Sequence, residues 1–282
     1  MIEKRLVQWY ASDAGIDLDI AEREIVLTYV LRIMSDQGIL PHLAFKGGTA
    51  IRKLHLGSRG RFSLDLDFTA ISKIDPESLI LNLVGALYDQ TYYGLTFSIP
   101  SSDYYATQTS AGAEIIYQHD WVSDGRFGIQ VSFRAEPILP IRNVTLLPER
   151  YFDWLGIDLP EIPSLDLHEI IGEKVRAAAQ RNRVRDLFDL YQFTNRQFDR
   201  PFVRRIAVIK CWETNFAFNP EIFLTSLRDG NFDWLDLRRL IRRGWDIQPE
   251  EIIDQVQTGF GFLSDMTSKE AVLAGDPYCR QH

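Results

Sequence analysis

The sequence is poor in cysteine and has no long apolar run. Its 282 residues contain two cysteines, Cys211 and Cys279, which lie far apart. This excludes a disulfide framework and a zinc site built on cysteine. No apolar run approaches the roughly 18 residues that a membrane span needs. The first 15 residues lack the apolar core and the cleavage site of a signal peptide, so we expect a cytoplasmic location.

The sequence also has fewer basic residues than acidic ones. The formal net charge is −8, which argues against non-specific duplex binding, because such binding depends on a basic surface that neutralises phosphates. Local basic runs do exist: residues 181–185 read RNRVR, and four further arginines lie between residues 238 and 243. Runs of this kind are more often solvated helix faces than binding sites.

The order of predicted elements gives a mixed α+β region followed by a helical one. Helical spacing predicts a helix over residues 18–38, and alternation predicts strands in GLTFSIP, GAEIIYQHD and FGIQVSFRAEP, with VSDGR as a turn before the last. Residues 137–165 contain five prolines and are interpreted as a connector. We therefore expect domains at 1–150 and 151–282, the second wholly helical.

An acidic pair is the first chemical feature. In SLDLDFTA, Asp65 and Asp67 alternate with apolar residues, and alternation along a strand points both carboxylates to one face. A hard divalent cation such as Mg²⁺ or Mn²⁺ takes oxygen ligands from such a pair and can hold a triphosphate. An exposed strand face with two solvated acids is the alternative, and the DxD pattern alone does not decide between them.

A glycine turn precedes the acidic pair. Lys46, Gly47, Gly48 and Thr49 follow a short apolar strand and open a helix. Two glycines at this point let backbone N–H groups approach a phosphate, which a helix N-terminus also favours. Thr49 would cap the helix or touch a phosphate oxygen, and Arg52, one turn later, would reach phosphate. The pattern is neither a Walker A loop nor a dinucleotide fingerprint.

Together these features resemble a known family. FKGGTAIRKL followed by RFSLDLDF resembles the AbiEii-type nucleotidyltransferase toxins of the DNA polymerase β-like superfamily. The resemblance implies a mixed-sheet nucleotidyltransferase core over 1–150 and a helical domain over 151–282 that completes the active-site cleft. It implies an NTP substrate, Mg²⁺ or Mn²⁺ on Asp65 and Asp67, and a nucleotide site that Ser63 lines.

A second stretch carries the same resemblance. LHEIIGEKVRAAAQRNRVRDLFDL is similar to the family's late motif. By this resemblance Lys174 places a cation at the triphosphate, with support from Arg176 or Arg185. Asp186 is implied to be a polar or basic partner near the attacking hydroxyl, and Asp189 falls at the second acidic position.

The sequence departs from the superfamily pattern at one position. A third carboxylate is expected on the strand FGIQVSFRAE, where the fitting residue is Gln130. An amide binds a divalent cation more weakly than a carboxylate does and cannot act as a base. Glu114 and Glu136 are the acids that would replace it.

Three functions follow from these patterns. The first is a toxin of a toxin–antitoxin or abortive-infection pair that transfers a nucleoside monophosphate to the 3′ end of tRNA, blocks translation and has a cognate antitoxin or regulator as partner. Its RNA would lie in a basic groove formed by Lys46, Arg52, Arg181, Arg183 and Arg185. The second is transfer to a protein or a small molecule. The third is an inactive nucleotide-binding fold, which Gln130 favours.

Four tyrosines are candidates for stacking a nucleotide base, and the alternative is that they pack the strands. They are Tyr92, Tyr93, Tyr104 and Tyr105.

Overall fold

A computed structural model describes residues 2–246 and 248–276. Cys279, considered above, lies outside the described residues. The chain divides into two compact units. The first comprises residues 1–165 and 240–243, and the second comprises residues 166–239 and 244–282.

The first unit begins with two helices, α1 (Lys4–Ala14) and α2 (Leu18–Asp36). Residues on every side of α2 are buried, including Ile20, Ile25 and Leu31, as expected for a helix that lies inside a core. The predicted helix over residues 18–38 is therefore confirmed. The other α-helical segments described in this unit are α3 (Gly47–Ala50), α4 (Pro76–Leu87) and α5 (Phe152–Leu155).

A nine-stranded sheet forms the rest of the first unit. Its order is β3-β4-β6-β7-β2-β1-β9-β8, with β5 paired to β6. The pairs β2–β7 and β1–β9 are parallel and the other pairs are antiparallel, so the predicted mixed sheet is confirmed. The strands are β1 (Leu43–Lys46), β2 (Leu66–Ala70), β3 (Thr91–Tyr92), β4 (Leu95–Ser98), β5 (Tyr104–Ala106), β6 (Ser110–His119), β7 (Val122–Ser132), β8 (Arg142–Thr145) and β9 (Glu161–Ser164).

The proline-rich segment 137–165 is part of this sheet, although the sequence was interpreted as a connector there. It contains β8, α5 and β9. Ser164 is paired with Phe45 in parallel register, and its hydroxyl donates to the Phe45 carbonyl over 3.0 Å. The boundary between the units falls after Leu165, because these strand contacts attach residues 151–165 to the first unit.

Helices are the regular secondary structure of the second unit within the described residues. Five of its helices begin with a side chain that accepts a hydrogen bond from a backbone N–H, which satisfies donors that the first turn leaves unpaired. These capping residues are Asp166, Asp199, Asn219, Asp233 and Thr267. Its helices are α6 (Leu167–Gln180), α7 (Val184–Tyr191), α8 (Arg200–Glu213), α9 (Pro220–Asp229), α10 (Trp234–Arg238), α11 (Pro249–Gly259) and α12 (Ser268–Gly275).

None of the helices in the described ranges combines the length and the apolar composition that crossing a bilayer requires. Cys211 is a free, buried cysteine, and burial raises the pKa of its thiol to about 12. A thiol with that pKa is protonated at neutral pH and is a poor nucleophile.

Candidate functional site

The glycine turn lies directly against the acidic strand. Gly47 follows β1 and has a φ of 77°, a conformation that side-chain-bearing residues rarely adopt. A Cβ atom at Gly47 would lie 2.4 Å from Oδ2 of Asp67. At Gly48 a Cβ atom would lie 2.5 Å from Nη2 of Arg61 and 3.1 Å from Oγ of Ser63. The backbone of the turn therefore contacts Asp67, Arg61 and Ser63 at positions where only glycine leaves room.

The two acids take different positions on one face of the sheet. Asp67 lies within β2 and is half-buried, whereas Asp65 lies one residue before β2 and is exposed. The backbone N–H of Gly128 in β7 donates to Oδ1 of Asp65 over 2.9 Å. Lys46 is the register partner of Asp67 on β1, so its side chain lies on the same face. The structure thus brings Lys46, Asp65 and Asp67 together at the turn.

Thr49 connects the turn to the acidic strand. Its side chain is 1% exposed, and its hydroxyl donates to the backbone carbonyl of Asp65. We had expected this hydroxyl to cap the helix or touch a phosphate, but the helix start has no side-chain cap and the hydroxyl points to Asp65. Thr49 therefore fixes the position of the first acid instead of contacting a ligand.

Arg52 is not at the turn surface. It is 1% exposed, and its guanidinium makes five hydrogen bonds, to Glu24, Glu149, Tyr10 and the carbonyls of residues 57 and 60. A guanidinium has five N–H donors, so none remains for a phosphate. The expectation that Arg52 binds phosphate is wrong, because the guanidinium is buried and all five of its donors are used within the first unit.

Arg61 is the arginine that contacts the turn. It is 5% exposed, its Nη1 donates to the Phe62 carbonyl over 3.1 Å, and its Nη2 lies against Gly48. The sequence contains this residue within the RFSLDLDF motif, but the motif alone does not distinguish it from Arg52 as the residue beside the glycines. Only the fold places it there.

Gln130 occupies the position where a third carboxylate was expected. It is the β7 register partner of Asp67, and side chains of register partners share a face. Its Nε2 donates to the hydroxyl of Tyr105 over 3.1 Å. The amide thus lies beside the acidic pair and holds an aromatic side chain.

Neither alternative acid completes a metal cluster. Glu114 lies on the same face of the sheet, opposite Gly128 on β7, but its carboxylate pairs with Arg126 over 2.8 Å. Glu136 follows the end of β7 and is exposed. Within residues 2–246 and 248–276, no three histidine, cysteine, aspartate or glutamate side chains form a group that could hold a metal ion.

The second unit contains its own charged cluster, centred on Lys174 of α6. Its Nζ lies 3.1 Å from Oδ1 of Asp186 and 2.6 Å from Oδ2 of Asp189. The two aspartates are one turn apart on α7, so both face α6. Arg181 binds Asp186 with Nε at 2.7 Å and Nη2 at 3.2 Å. The structure therefore joins the two halves of the late sequence motif.

The cluster keeps Asp186 ionised. Burial alone would raise the pKa of this carboxyl, but the charge of Lys174 and the hydrogen bond from Arg181 outweigh burial and lower the pKa to about 2. A base with such a pKa accepts a proton poorly at neutral pH. In the folded chain Asp186 is therefore an ionised partner of Lys174, and the polar or basic role near the attacking hydroxyl that the resemblance implies stays a prediction.

The arginines implied to support Lys174 have other partners. Arg185 forms two hydrogen bonds to Asp236, at 2.7 and 2.6 Å. Arg176 donates to Gln180 on its own helix. Arg181 contacts the Lys174 cluster through Asp186, whereas the sequence predicts this arginine as part of a basic groove.

The glycine turn, the adjacent acidic pair and the mixed sheet define a nucleotidyltransferase core. Residues 29–255 match the family described as nucleotidyl transferase AbiEii toxin, type IV TA system. The chain belongs to this family, and it is a nucleotidyltransferase toxin of a type IV toxin–antitoxin system. The resemblance drawn from the sequence is thereby confirmed.

A solved structure supports the same assignment. The chain is similar to MenT4, a nucleotidyltransferase toxin from Mycobacterium tuberculosis H37Rv, with 25% sequence identity and a TM-score of 0.82. The likeness covers 98% of this chain and 94% of that one. No curated protein sequence matches the chain.

Proposed function

We propose that the toxin transfers a nucleoside monophosphate from an NTP to the 3′ end of tRNA in the cytoplasm, which blocks translation. The acceptor hydroxyl oxygen forms a bond to the α-phosphorus while the bond from that phosphorus to the pyrophosphate oxygen breaks. Pyrophosphate leaves, and the hydroxyl proton passes to solvent. The observation that carries this proposal is the packing of Gly47 and Gly48 against Asp67, Arg61 and Ser63.

The acidic pair suits a cation that arrives with a nucleotide. Mg²⁺ is usually held by one or two carboxylates together with substrate phosphates and water. Asp65 is exposed and Asp67 half-buried, and glycines lie beside both acids, at residues 128 and 47. Asp65 and Asp67 would hold Mg²⁺ or Mn²⁺, which neutralises charge on the triphosphate when bound.

The remaining polar groups around the turn would bind the triphosphate. Backbone N–H groups of Gly47 and Gly48 approach phosphate oxygens at the start of a helical segment. Lys46 lies opposite Asp67 and adds positive charge on the same face, and Ser63 supplies a hydroxyl beside Gly48. Thr49 and Arg61 hold this arrangement in place.

Lys174 is the proposed cation of the second unit. It is buried and lies between two carboxylates, so its position is fixed even though a lysine side chain is flexible. Asp186 and Arg181 restrict the ammonium group further. The resemblance to the family's late motif supports its role at the triphosphate.

The test is transfer of label from α-³²P-NTPs to total RNA with Mg²⁺, followed by mapping of the label to tRNA 3′ ends. Asp65→Asn and Asp67→Asn should each abolish transfer, and so should removal of the metal by EDTA. Asp120→Asn changes an exposed acid in the β6–β7 turn and serves as the matched control. Absence of label in RNA with all four NTPs would exclude RNA as the acceptor.

The net charge of −8 favours a second candidate, transfer to a protein or a small molecule, since an acidic surface repels RNA. The same assay with protein lysate in place of RNA separates the two. Binding of NTP without transfer to either would indicate the inactive form that Gln130 suggested.

Toxicity and its control by an antitoxin are tested in cells. Expression of the wild-type chain should arrest growth and protein synthesis, and Asp67→Asn should not. Co-expression of the product of the neighbouring gene should restore growth if that gene encodes the cognate antitoxin. Arrest by the Asp67→Asn variant as well would show that toxicity does not depend on nucleotide transfer.

A further inference from the structure

Tyr105 is an exposed aromatic side chain next to the acidic pair. It lies on β5 as the register partner of Gly112 on β6, and Gly112 is in turn the register partner of Gln130 on β7. A Cβ atom at Gly112 would lie 3.0 Å from Cε1 and 3.1 Å from the hydroxyl oxygen of Tyr105. The ring therefore lies across the backbone of Gly112, towards Gln130.

The ring is held in place yet remains accessible. Its hydroxyl accepts a hydrogen bond from Nε2 of Gln130 over 3.1 Å, and 43% of the residue is exposed. Two other tyrosines that the sequence suggested as base-stacking residues have structural contacts instead. Tyr92 donates to the Ala86 carbonyl over 2.9 Å, and Tyr93 stacks on Tyr29 with ring centroids 5.1 Å apart.

We propose that Tyr105 is the platform on which the base of the NTP stacks, and that Gln130 is the positioning residue that orients it. This inference rests on the proposed nucleotidyl transfer. It gives Gln130 a function at the position where a carboxylate was expected: its amide fixes an aromatic ring and does not bind metal.

The order of the strands supports the base of the NTP as the occupant. Lys46 on β1, Asp67 on β2 and Gln130 on β7 lie on successive strands of one face, which are roughly 5 Å apart. With the β- and γ-phosphates at the glycine turn, the α-phosphate lies near the acids. The nucleoside attached to it then extends across β7, where the hydroxyl end of Tyr105 lies. The base of the acceptor is the competing occupant.

Stacking on an aromatic ring tolerates any base, because every base has a π face. Loss of the ring should therefore weaken the binding of all four NTPs. Substitution of a stacking aromatic by alanine costs about 1–3 kcal/mol per base, equivalent to roughly 5- to 150-fold in affinity. A residue that only completes the fold would change stability and leave the KM for NTP unaffected.

The experiment measures KM and kcat for NTP at saturating RNA, and KM for RNA at saturating NTP. Tyr105→Ala should raise the KM for NTP at least about 5-fold and leave the KM for RNA unchanged. Tyr88→Ala is the control, because Tyr88 is also an exposed tyrosine, 54% exposed at the end of α4. This variant should behave as the wild type does.

A double-mutant cycle tests the role of Gln130. Tyr105→Phe and Gln130→Ala each remove the same hydrogen bond and keep the ring, so each should raise the KM for NTP modestly. If Gln130 acts through Tyr105, the double variant should be no worse than either single variant. Additive effects would overturn the positioning role.

Several results would overturn the proposal that the base of the NTP stacks on Tyr105. An increase only in the KM for RNA would assign the ring to the acceptor, and an unchanged KM for NTP in Tyr105→Ala would remove it from the site. If the wild-type chain transfers no label, the proposed function fails. The dissociation constant of each NTP with Mg²⁺, measured by calorimetry, then still tests the platform, which predicts weaker binding in Tyr105→Ala. If the wild type binds no NTP, the platform is also rejected.

Discussion

Gly47 and Asp67 are in such close contact that any side chain at Gly47 would collide with the carboxylate, 2.4 Å from Oδ2. We predict that Gly47→Ala displaces Asp67 and lowers kcat/KM for nucleotide transfer by about 100-fold or more, since small misplacements of catalytic groups have effects of that size. The φ of 77° adds backbone strain of about 1 kcal/mol. The measurements are transfer kinetics and urea unfolding.

Gly38→Ala is the matched control for this prediction. Gly38 also has a positive φ, of 67°, but a Cβ atom there would meet nothing within 4 Å. Gly38→Ala should therefore lose only the free energy of unfolding that backbone strain costs, whereas Gly47→Ala should lose more stability and also lose activity. Equal losses of activity would show that strain, and not contact with Asp67, accounts for the effect.

Substitutions of the two buried arginines of the first unit should affect different properties. One should lower stability and the other should weaken nucleotide binding. Arg52→Lys leaves fewer donors for the five hydrogen bonds of Arg52, so we expect a loss of roughly 2 kcal/mol in the free energy of unfolding. The KM for NTP should stay the same. Arg61→Lys alters the group that lies against Gly48 and should raise that KM.

Urea unfolding and NTP kinetics on the same preparations test both statements. The assignment of Arg52 to the core fails if Arg52→Lys raises the KM for NTP as much as Arg61→Lys does. In that case the guanidinium of Arg52 would contact the nucleotide in spite of its burial.

Sequence patterns predicted the parts of the site that are contiguous in the chain. The Lys46–Thr49 turn and the acidic pair follow one another within about 20 residues, and each has a local signature. Alternation and glycine placement are properties of single segments, so they can be read without the fold. Lys174 and its partners on the next helix were likewise predicted because one motif contains them.

What the sequence did not predict depends on pairing over long distances. Arg52 binds Glu24 and Glu149, 28 and 97 residues away, and nothing local to Arg52 indicates those partners. Tyr105 and Gln130 meet only because β5, β6 and β7 are adjacent in the sheet. An arginine commonly serves either in core contacts or in ligand binding, and only the fold shows which role a given arginine has.

Two segment predictions differ from the structure because strand pairing, and not local composition, decides the conformation there. Prolines in residues 137–165 suggested a connector, but Pro163 lies opposite Asn143 in the β8–β9 pair. The polar run VSDGR suggested a turn, whereas it begins β7 and the hairpin turns at Asp120 and Trp121.

Two buried lysines of the second unit provide a test of catalysis. Lys174 pairs with Asp186 and Asp189, and Lys210 pairs with Glu169 over 2.7 Å. Replacing either lysine with methionine leaves buried carboxylates without their partner, which costs about 3–5 kcal/mol. We predict comparable destabilisation of both variants, with loss of transfer activity only in Lys174→Met.

Kinetics at low temperature, with folding verified by circular dichroism, distinguish the two lysines. If Lys174→Met does not fold, Lys174→Arg keeps the charge but changes its geometry, and it should lower kcat while Lys210→Arg does not. Retention of wild-type kcat by a folded Lys174 variant would restrict this lysine to a structural role.

The last prediction concerns Asp186, whose pKa in the folded protein is about 2. A carboxyl with a lowered pKa in the folded state stabilises the protein above its pKa in the unfolded chain, near 3.8, and that stabilisation is lost as the pH falls through about 2. The shift corresponds to about 2 kcal/mol, of which roughly half is lost by pH 3. Urea unfolding of the wild type and of Asp186→Asn between pH 6 and pH 3 measures this contribution.

Asp186→Asn should be the less stable protein at pH 6, because Lys174 and Arg181 then lose the ionised carboxylate that they share. Other acids titrate in both proteins, so the difference between the two free energies of unfolding isolates Asp186. That difference should shrink by about 1 kcal/mol from pH 6 to pH 3. A constant or growing difference would mean that Lys174 and Arg181 do not hold Asp186 ionised. The carboxyl would then have a pKa near its ordinary value or above it, and would become available as a base in the reaction.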